Sequence, residues 1–585
     1  MKNRVWLLAL PVVVLAVCSF WIGELGIDGD LTNSMLRDRA FPAVRVVEGW
    51  FTNTKFNLRG AQPPKNKIVI VEVDNASITQ FGRWPWHRDV TAYVVDKIFE
   101  AGAKAVGLDM VFSEPDVRVP EPLAAELNKA NLGHLVNRFE TDSALEASFA
   151  RHQNQLVTGF TLSMNCQPIY RATAADCPIE DPESKALHPE EFAKFGFDEI
   201  KGPLAFDMMR TPLLSMVDLI PNLPMYDAVT RHSGYFNAYP DGDGVIRRTN
   251  LVMLGNGRPM TSLPMQLAKL ALGEKLGIEF TEDHRVKHIY FAKSGREIPV
   301  SPLGVMEINF RGPGFTFPYV SALDVVSDEA HVNVTRGLAS VTQESKNDLL
   351  KDAVVLFGIS ALGVFDMRAF PTDSNVPGVE GHATILDNLL HNDMMRHGSS
   401  NFGRIILLLL MTLGAVTFAW TTQKLEAIPA LLLFVVVMAG LSVTDLKLLF
   451  ANNQNWNTGF LYLELSGIFV LTIAMKYVLE ERNKKFIKGA FARYVAPAVV
   501  DSIIKDPAKL TVGGNKKDLT IMFSDIRSFT TFSEKLDPKI LSNFLNDYLG
   551  IMTDIVFEFE GTLDKYIGDA VMAFWGSPLY QPKHA

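Results

Sequence analysis

The chain has 585 residues, of which 48% are hydrophobic, and this length is enough for several domains. Its formal net charge of −9 gives no reason to expect binding to nucleic acid. Three cysteines are too few for a disulfide framework, which excludes a small disulfide-stabilised scaffold.

The N-terminus carries a short basic segment followed by an apolar run. Lys2 and Arg4 lie in residues 1–4, and residues 5–22 are almost wholly apolar. A cleaved signal peptide and an uncleaved membrane anchor both begin in this way. The run is longer than a usual signal core, and no small-residue cleavage site follows it. We therefore interpret residues 5–22 as a first transmembrane helix with residues 1–4 in the cytoplasm, so that the next domain is exported.

The region after this helix has the pattern of an α/β domain. Residues 68–73 and 105–112 are strand-like, and residues 87–101 have apolar side chains at helical spacing. A strand-helix-strand unit implies parallel pairing. Further strands are predicted at residues 156–162, 245–254, 306–310 and 353–359.

Two aspartates follow strands of this unit and could belong to a ligand site. Asp74 and Asp109 would lie at the carboxyl ends of neighbouring strands, where open sheets bind ligands. The side chains that could line such a crevice are Trp84, Trp86, Arg88 and Glu114. The residue types favour the alternative, in which the aspartates cap turns and the tryptophans pack in the core.

Four segments of this region resemble the second-type CHASE domain, an extracellular sensory module. They are KIVIVEVDNASITQFGRWPWHRD, GAKAVGLDMVFSEPD, FNAYPDGDGVIRR and LFGISALGVFDMRAFP, and the resemblance covers about residues 40–395. It implies an exported sensor with an unidentified extracytoplasmic ligand. Asp241 and Asp243 in this region are predicted to form a turn rather than a calcium site, because further oxygen ligands are missing. Cys166 and Cys177 could form one bridge there or remain two free thiols.

Three apolar runs then indicate transmembrane helices at residues 404–422, 427–444 and 458–476. A buried helical hairpin is the alternative, but three runs joined by short loops argue against it. Basic residues flank the predicted inner side: Lys424, Lys476, Arg482, Lys484, Lys485 and Lys488. The outer loop has only Lys447, which predicts a multi-pass protein of the inner (plasma) membrane, surrounded by lipid bilayer, with a cytoplasmic C-terminus. Glu464 lies near the outer end of the last span, which favours a position among lipid headgroups over a functional role.

A linker helix at residues 477–515 leads to a small α+β pattern at residues 516–585. Asp525 follows a strand at residues 519–524, and the Gly568-Asp569 pair separates strands at 562–567 and 570–575, as in a tight hairpin. Between them, Asp537 is a good N-cap for a helix that ends near Glu560. If the hairpin pairs beside the first strand, Asp525 and Asp569 converge as ligands for Mg²⁺. The alternative is that both are ordinary turn aspartates.

The segments FSDIRSFT and KYIGDAVMAFWG resemble the catalytic domain of class III nucleotidyl cyclases, which has a ferredoxin-like palm. This resemblance implies that Asp525, Asp569 and the carbonyl of Ile526 hold two Mg²⁺ or Mn²⁺ ions in each site. It also implies a phosphate cradle of four amides, those of Arg527, Ser528, Phe529 and Thr530. Lys565 matches the position that reads the purine, where adenylyl cyclases have Lys and guanylyl cyclases have Glu, so ATP is the expected substrate.

The sequence therefore predicts a multidomain membrane protein, with an α/β sensor, transmembrane helices and an incomplete α+β cyclase domain. The expected function is that of a homodimeric receptor adenylyl cyclase, which makes cyclic AMP and pyrophosphate. A guanylyl cyclase and a non-catalytic receptor or scaffold are the alternatives. In the family, the second purine contact and the transition-state Asn and Arg lie further along than Ala585. We therefore expect a fragment of a longer enzyme, with little turnover as given.

Overall fold

The structure is a computed structural model, in which the chain forms two compact units. One unit comprises Pro11–Ala415 and Leu431–Ser466, and the other comprises Met1–Leu10, Val416–Ala430 and Gly467–Ala585. The residues that the structure describes are 9–25, 42–136, 139–163, 194–203, 211–216, 218–255, 257–337, 340–361, 367–397, 401–491, 516–577 and 581–585. Cys166, Cys177, residues 1–4 and the linker after residue 491 lie outside them.

The described part of the sensor is rich in both strands and helices. Its strands are β1 (Ile68–Val73), β2 (Ala105–Leu108), β3 (Leu156–Ser163), β4 (Glu199–Lys201), β5 (Ser215–Met216), β6 (Asp218–Ile220), β7 (Ser233–Tyr235), β8 (Arg248–Asn250), β9 (Val252–Gly255), β10 (Arg258–Thr261), β11 (Leu276–Phe280), β12 (Val286–Phe291), β13 (Arg296–Ile298), β14 (Val305–Glu307), β15 (Tyr319–Ser321), β16 (His331–Arg336), β17 (Ser340–Ser345), β18 (Val354–Ile359), β19 (Met367–Phe370), β20 (Asp373–Pro377) and β21 (Arg396–His397). Its helices are α1 (Leu10–Leu25), α2 (Pro42–Arg59), α3 (Asn75–Phe81), α4 (Arg88–Glu100), α5 (Glu121–Lys129), α6 (Gly133–Val136), α7 (Asp142–His152), α8 (Pro224–Val229), α9 (Leu263–Leu272), α10 (Ala322–Val326), α11 (Lys346–Leu350) and α12 (Gly378–His391).

The main sheet has the order β17-β16-β15-β1-β18-β2-β3-β6, and its centre is parallel. All six residues of β1 are buried, as expected for a parallel strand that is covered on both faces. Ile68 and Ile70 pack on the side of α9 and α12, whereas Val69, Val71 and Val73 pack on the side of α4 and α7. The sensor core is therefore two apolar layers separated by one sheet.

The structure corrects the predicted neighbourhood of β1 and β2. Both strands are parallel, but β18 lies between them and pairs with each. The strand-helix-strand pattern gave no sign of this insertion, because β18 comes from a distant part of the chain. The strand predicted at 105–112 also ends at Leu108, and the one predicted at 245–254 divides into β8 and β9 around Leu251.

Three helices of the described chain are long and apolar enough to cross a membrane: Phe402–Lys424, Ala427–Asn452 and Gly459–Phe486. The first combines α13 (Asn401–Leu409), a π-turn at Leu410–Gly414 and α14 (Ala415–Lys424). The second begins as α15 (Ala427–Val443) and continues as a π-helix at Thr444–Leu449 and a 3₁₀ turn at Phe450–Asn452. The third belongs to α16 (Gly459–Phe491).

These helices differ from the sequence prediction in three respects. The second helix is longer than predicted, because part of the expected outer loop is helical. The described N-terminal helix has an apolar stretch of only Leu10–Ile22, shorter than a usual span, so a crossing there stays a prediction. Glu464 is only 1% exposed, and no described residue hydrogen-bonds to its carboxylate oxygens. This side chain therefore faces the protein, and its predicted level near the lipid headgroups stays a prediction.

Residues 444–458 comprise the last turns of the second long helix and the link to the third, and this segment is anchored on the sensor. We call it the anchoring loop. It contains β22 (Gln454–Asn455), which pairs in parallel with β21. Lys55 of α2 lies with its Nζ 3.0 Å from Asp445 Oδ1 and also donates to the Trp456 carbonyl, at 2.7 Å. Within the loop, Thr458 Oγ1 donates to Asp445 Oδ2 at 2.6 Å. The buried Lys55–Asp445 ion pair and the β21–β22 pairing therefore attach this loop to the sensor.

The C-terminal region forms an antiparallel sheet covered by one long helix. Its strands are β23 (Thr520–Ser524), β24 (Thr562–Ile567) and β25 (Ala570–Trp575), in the order β23-β25-β24. Its helices are α17 (Phe529–Ser533) and α18 (Pro538–Glu558). The Asp537 side chain accepts from the Lys539 amide, as an N-cap does, and Pro538 follows at the first helical position. The predicted strand-helix-hairpin is confirmed.

Candidate active site

The site is built from the end of β23 and the tip of the β24–β25 hairpin. Ile567 pairs with Ala570, so Gly568 and Asp569 form a two-residue turn, and Gly568 has φ +66°, which favours glycine. β25 then pairs antiparallel with β23, which places Ser524 opposite Val571. This register brings the turn beside Asp525, the residue that follows β23.

The two aspartates meet around one main-chain amide. The Ile526 N–H donates to Asp525 Oδ1 at 3.0 Å and to Asp569 Oδ2 at 3.2 Å. The predicted convergence of Asp525 and Asp569 is therefore confirmed. Their role as metal ligands stays a prediction.

The two carboxyl groups influence each other electrostatically. A hydrogen bond with Asp569 raises the pKa of Asp525, and the negative charge of Asp569 raises it further. Two like charges held together favour retention of a proton, and a bound cation relieves the same repulsion. The pair is therefore a preformed position for positive charge.

The donor set fits a hard divalent cation. Carboxylate and carbonyl oxygens are what Mg²⁺ prefers, and Mg²⁺ keeps water or phosphate oxygens in its remaining positions. The Ile526 carbonyl accepts one hydrogen bond, from the Phe529 amide at 3.2 Å, and has a second lone pair for a metal. Within the described residues, no group of three or more His, Cys, Asp and Glu side chains surrounds a common point. A metal here would therefore take its remaining ligands from water or from the substrate.

The predicted phosphate cradle is altered by the local turn. Ser528 adopts a left-handed conformation, with φ +62°, before the five-residue helix α17. Because the Phe529 amide already donates to Ile526, that amide is not available to a phosphate as predicted. The amides of Arg527, Ser528 and Thr530 remain the predicted cradle.

Lys565 lies outside the aspartate cluster of its own chain. It pairs with Met572 in the hairpin, and its Nζ is 3.2 Å from Asp564 Oδ2. The next residue, Tyr566, bonds to Thr553 of α18 through its hydroxyl group at 2.6 Å. Since side chains alternate along a strand, Lys565 faces the side of the sheet opposite to α18.

β23 is held in place by a contact with α18 that was not predicted from the sequence. Ser524, the residue directly before Asp525, has its Oγ 3.1 Å from the hydroxyl oxygen of Tyr548 on α18. A polar residue on the inner face of a strand, with a tyrosine on the apolar face of the next helix, was the available signal.

The residues predicted to line a sensor crevice separate into two groups. Asp74 is an N-cap, since it accepts from the Ser77 amide at 2.9 Å and from the Ser321 hydroxyl at 2.8 Å. Trp86 is buried, and its Nε1 donates to the Gly82 carbonyl. For these two, the capping and packing alternative is confirmed. The others line a cavity: Trp84, Arg88, Asp109 and Glu114.

The PDGDG segment forms the predicted turn and also a buried ion network. Arg247 binds Asp241 at 2.9 Å and Asp243 at 2.6 Å, and Arg248 and Arg45 also contact Asp241. Burial alone would raise the pKa of Asp241, but the charges of Arg248, Arg45 and Arg247 lower it to about 2. This network stabilises the sensor.

Together, three helices long enough to cross a membrane, a large α/β domain and an aspartate-tipped hairpin beside a second aspartate fit a sensor domain joined to a nucleotide-cyclase type of core. A model of the CHASE2 domain matches residues 34–417, and a model of the adenylate and guanylate cyclase catalytic domain matches residues 513–585. The chain belongs to the CHASE2 family and carries a cyclase catalytic domain at its C-terminal end.

Individual relatives match this chain only over short stretches. An adenylate cyclase of Anabaena cylindrica is 37% identical over 92 residues, which are 16% of this chain and 17% of the relative. Adenylate cyclase 1 of Rhizobium meliloti is 34% identical over 70 residues, which are 12% of this chain and 10% of the relative. The solved adenylyl cyclase CyaB from P. aeruginosa is 49% identical, with a TM-score of 0.11, and the match covers 11% of this chain and 32% of that one. The chain thus spans less than a fifth of the curated relatives named here.

Proposed function

We propose that this protein is a membrane-bound receptor adenylyl cyclase, which converts ATP to cyclic AMP and pyrophosphate in response to an extracytoplasmic ligand. The observation that carries the proposal is the convergence of Asp525 and Asp569 on the Ile526 amide. The matches to cyclase domains and to proteins named adenylate cyclase support the reaction class.

The carboxylates of Asp525 and Asp569, with the Ile526 carbonyl, would hold two Mg²⁺ or Mn²⁺ ions. When bound, these ions neutralise phosphate charge and make the ribose 3′-hydroxyl more acidic. The 3′-oxygen gives up its proton, which ends on the leaving pyrophosphate or in solvent, and bonds to the α-phosphorus. The bond from that phosphorus to the oxygen that bridges it to the β-phosphate breaks, and pyrophosphate leaves. The chain contributes by holding the triphosphate and the 3′-oxygen in line.

Lys565 supports ATP rather than GTP as the substrate. Its ammonium group can donate to an adenine ring nitrogen but cannot accept from guanine, and a wrong base would leave a buried partner unpaired. Because Lys565 lies apart from its own aspartate pair, we assign it to the site of a second copy. Large apolar side chains are exposed on the cyclase sheet, among them Ile521, Phe523 and Ile567, and these support a homodimer.

The membrane location is supported by three helices of sufficient length and by the CHASE2 domain, which is an extracellular sensor. We propose a multi-pass topology with the sensor outside and the cyclase domain in the cytoplasm. A cluster of basic residues at the C-terminal end of the last long helix and just after it supports this orientation: Lys476, Arg482, Lys484, Lys485 and Lys488. A cysteine-accessibility assay in intact cells tests it, and labelling of the C-terminal region from outside would contradict it.

The activity test uses membranes that contain the full-length gene product, with ATP or GTP and with Mg²⁺ or Mn²⁺. Cyclic AMP formation should fall at least about 100-fold in Asp569→Asn, because a metal ligand loses its charge. The matched control is Asp547→Asn, an exposed carboxylate of α18 outside the site, which should leave the rate unchanged. Cyclic GMP as the main product would support the guanylyl alternative. If a folded dimer makes no cyclic nucleotide from either substrate, the enzyme proposal fails and the non-catalytic receptor or scaffold is the remaining alternative.

A further inference from the structure

A cavity of about 400 Å³ lies in the sensor at the carboxyl ends of β2 and β18, against the first turns of α12. Its lining is mostly apolar and includes four aromatic side chains, those of Trp84, Phe112, Phe236 and Phe370. This size and lining are typical of sites that bind small organic molecules. The position is also the edge of a parallel sheet where open α/β folds bind ligands.

One buried carboxyl group faces this cavity. The Asp109 side chain is only 5% exposed, and its nearest approach to His382 is 3.6 Å from Oδ1 to Nε2, which is too long for a hydrogen bond. It accepts no hydrogen bond from any residue in the described part of the chain. Burial raises the pKa of Asp109 to about 7, against the opposing effect of Arg368. A carboxyl group in this state is stabilised by a ligand that supplies a donor or a positive charge.

Four other ionisable side chains line the cavity, and two of them, Glu114 and Arg368, are exposed. The other two are Arg88 and His382. Arg88 donates to the Glu114 carbonyl at 3.1 Å, lies 3.6 Å from Asp142 and stacks over the ring of Phe112 at 4.8 Å. Among the described lining residues, Asp109 is therefore the one buried carboxyl group, and it is negative when ionised.

We propose that this cavity binds a small amine, whose apolar, ring-bearing body lies among the aromatic side chains and whose ammonium group donates to Asp109. Aromatic faces also attract a cation at close range, and an ammonium–carboxylate hydrogen bond is stronger than a neutral one. The inference deepens the proposed receptor function, since it names the class of extracytoplasmic ligand, and it rests on that function for its biological meaning.

The test is calorimetric titration of the full chain in detergent, which does not depend on cyclase activity. The probes are 2-phenylethylamine and isopentylamine, with 2-phenylethanol and 3-phenylpropionate as neutral and anionic counterparts. Binding of an amine should weaken at least about 10-fold in Asp109→Asn. Asp74→Asn is the matched control, because Asp74 follows β1 in the same sheet but caps α3 and is not among the residues that line the cavity. Its affinity should match that of the unsubstituted protein.

A second variant tests the sign of the ligand charge without touching the buried core. Arg368→Gln removes an exposed positive charge near Asp109, so amine affinity should rise about 2- to 5-fold. No binding of either amine up to about 10 mM would overturn the proposal. Equal affinity for the alcohol, tighter binding of the carboxylate, or an unchanged affinity in Asp109→Asn would also overturn it. Because binding and cyclic AMP formation are measured separately, failure of one leaves the other standing.

Discussion

The buried ion pair of the anchoring loop gives a quantitative prediction. Lys55 and Asp445 are 5% and 2% exposed, and Lys55→Met would leave the Asp445 carboxylate with one described hydrogen bond, from Thr458. Burial lowers the pKa of Lys55, although Asp445 opposes this, which indicates how strongly water is excluded. Breaking a buried pair from one side typically costs about 3–5 kcal/mol, because a charge stays buried without its partner.

This cost converts to a thermal shift through the size of the unit. With about 2.1 cal/mol/K of unfolding entropy per residue, a unit of about 440 residues should lose about 3–5 °C in melting temperature. The assay is intrinsic fluorescence of the purified chain on heating, in one detergent at one protein concentration. The double variant Lys55→Met, Asp445→Leu should regain most of the loss, since no buried charge remains.

The control is Lys97→Met, which removes an exposed pair with Glu100 at 2.7 Å and should give no measurable shift. A change below about 1 °C in Lys55→Met would refute the reasoning, as would a double variant whose loss equals the sum of the single losses.

Three further predictions concern the cyclase pair and the sensor network. Asp525→Asn should remove the repulsion between the two carboxylates and lower the rate of cyclic AMP formation at least about 100-fold, without lowering the melting temperature. Co-expression of Asp569→Asn and Lys565→Glu chains should restore about a quarter of the activity. Half of the dimers then contain one chain of each kind, and each of these has one of its two sites intact. No recovery would place Lys565 and Asp569 in the same site. Because the pKa of Asp241 is lowered in the folded state, this carboxylate should add about 2 kcal/mol to the free energy of unfolding above about pH 4. That stabilisation should be lost as the pH falls to about 2. Denaturant unfolding at both ends of that range measures this loss, and Asp241→Asn should lack the pH-dependent part.

Local patterns predicted the candidate site well. Gly568 and Asp569 are adjacent and form a two-residue turn, so the hairpin and the position of Asp569 follow from neighbouring residues. The Asp537 cap and the apolar face of α18 could also be predicted, because each depends only on residues close to one another in the sequence. The convergence of Asp525 with Asp569 needed only one further assumption, that β25 pairs with β23.

Contacts between distant parts of the chain could not be predicted. Nothing in residues 68–108 indicates that β18 lies between β1 and β2, and this changes which side chains surround Asp109. Lys55 and Asp445 are each ordinary in their own segment, and only the fold makes them a buried pair. Asp74 and Asp109 have the same sequence context, a carboxylate after an apolar strand, yet one caps a helix and the other faces a cavity.

The length of α16 has a mechanical consequence. Its first turn is held beside the anchoring loop, where Tyr462 stacks on Phe51 with ring centroids 5.8 Å apart, and the helix continues for 33 residues to Phe491. At 1.5 Å per residue this is a helix of roughly 50 Å, and it contains no proline. Its adjacent Ser466 and Gly467 form the kind of step at which helices bend. A twist or an axial displacement that begins where Phe51 and Tyr462 meet is therefore reduced by any bending at this step.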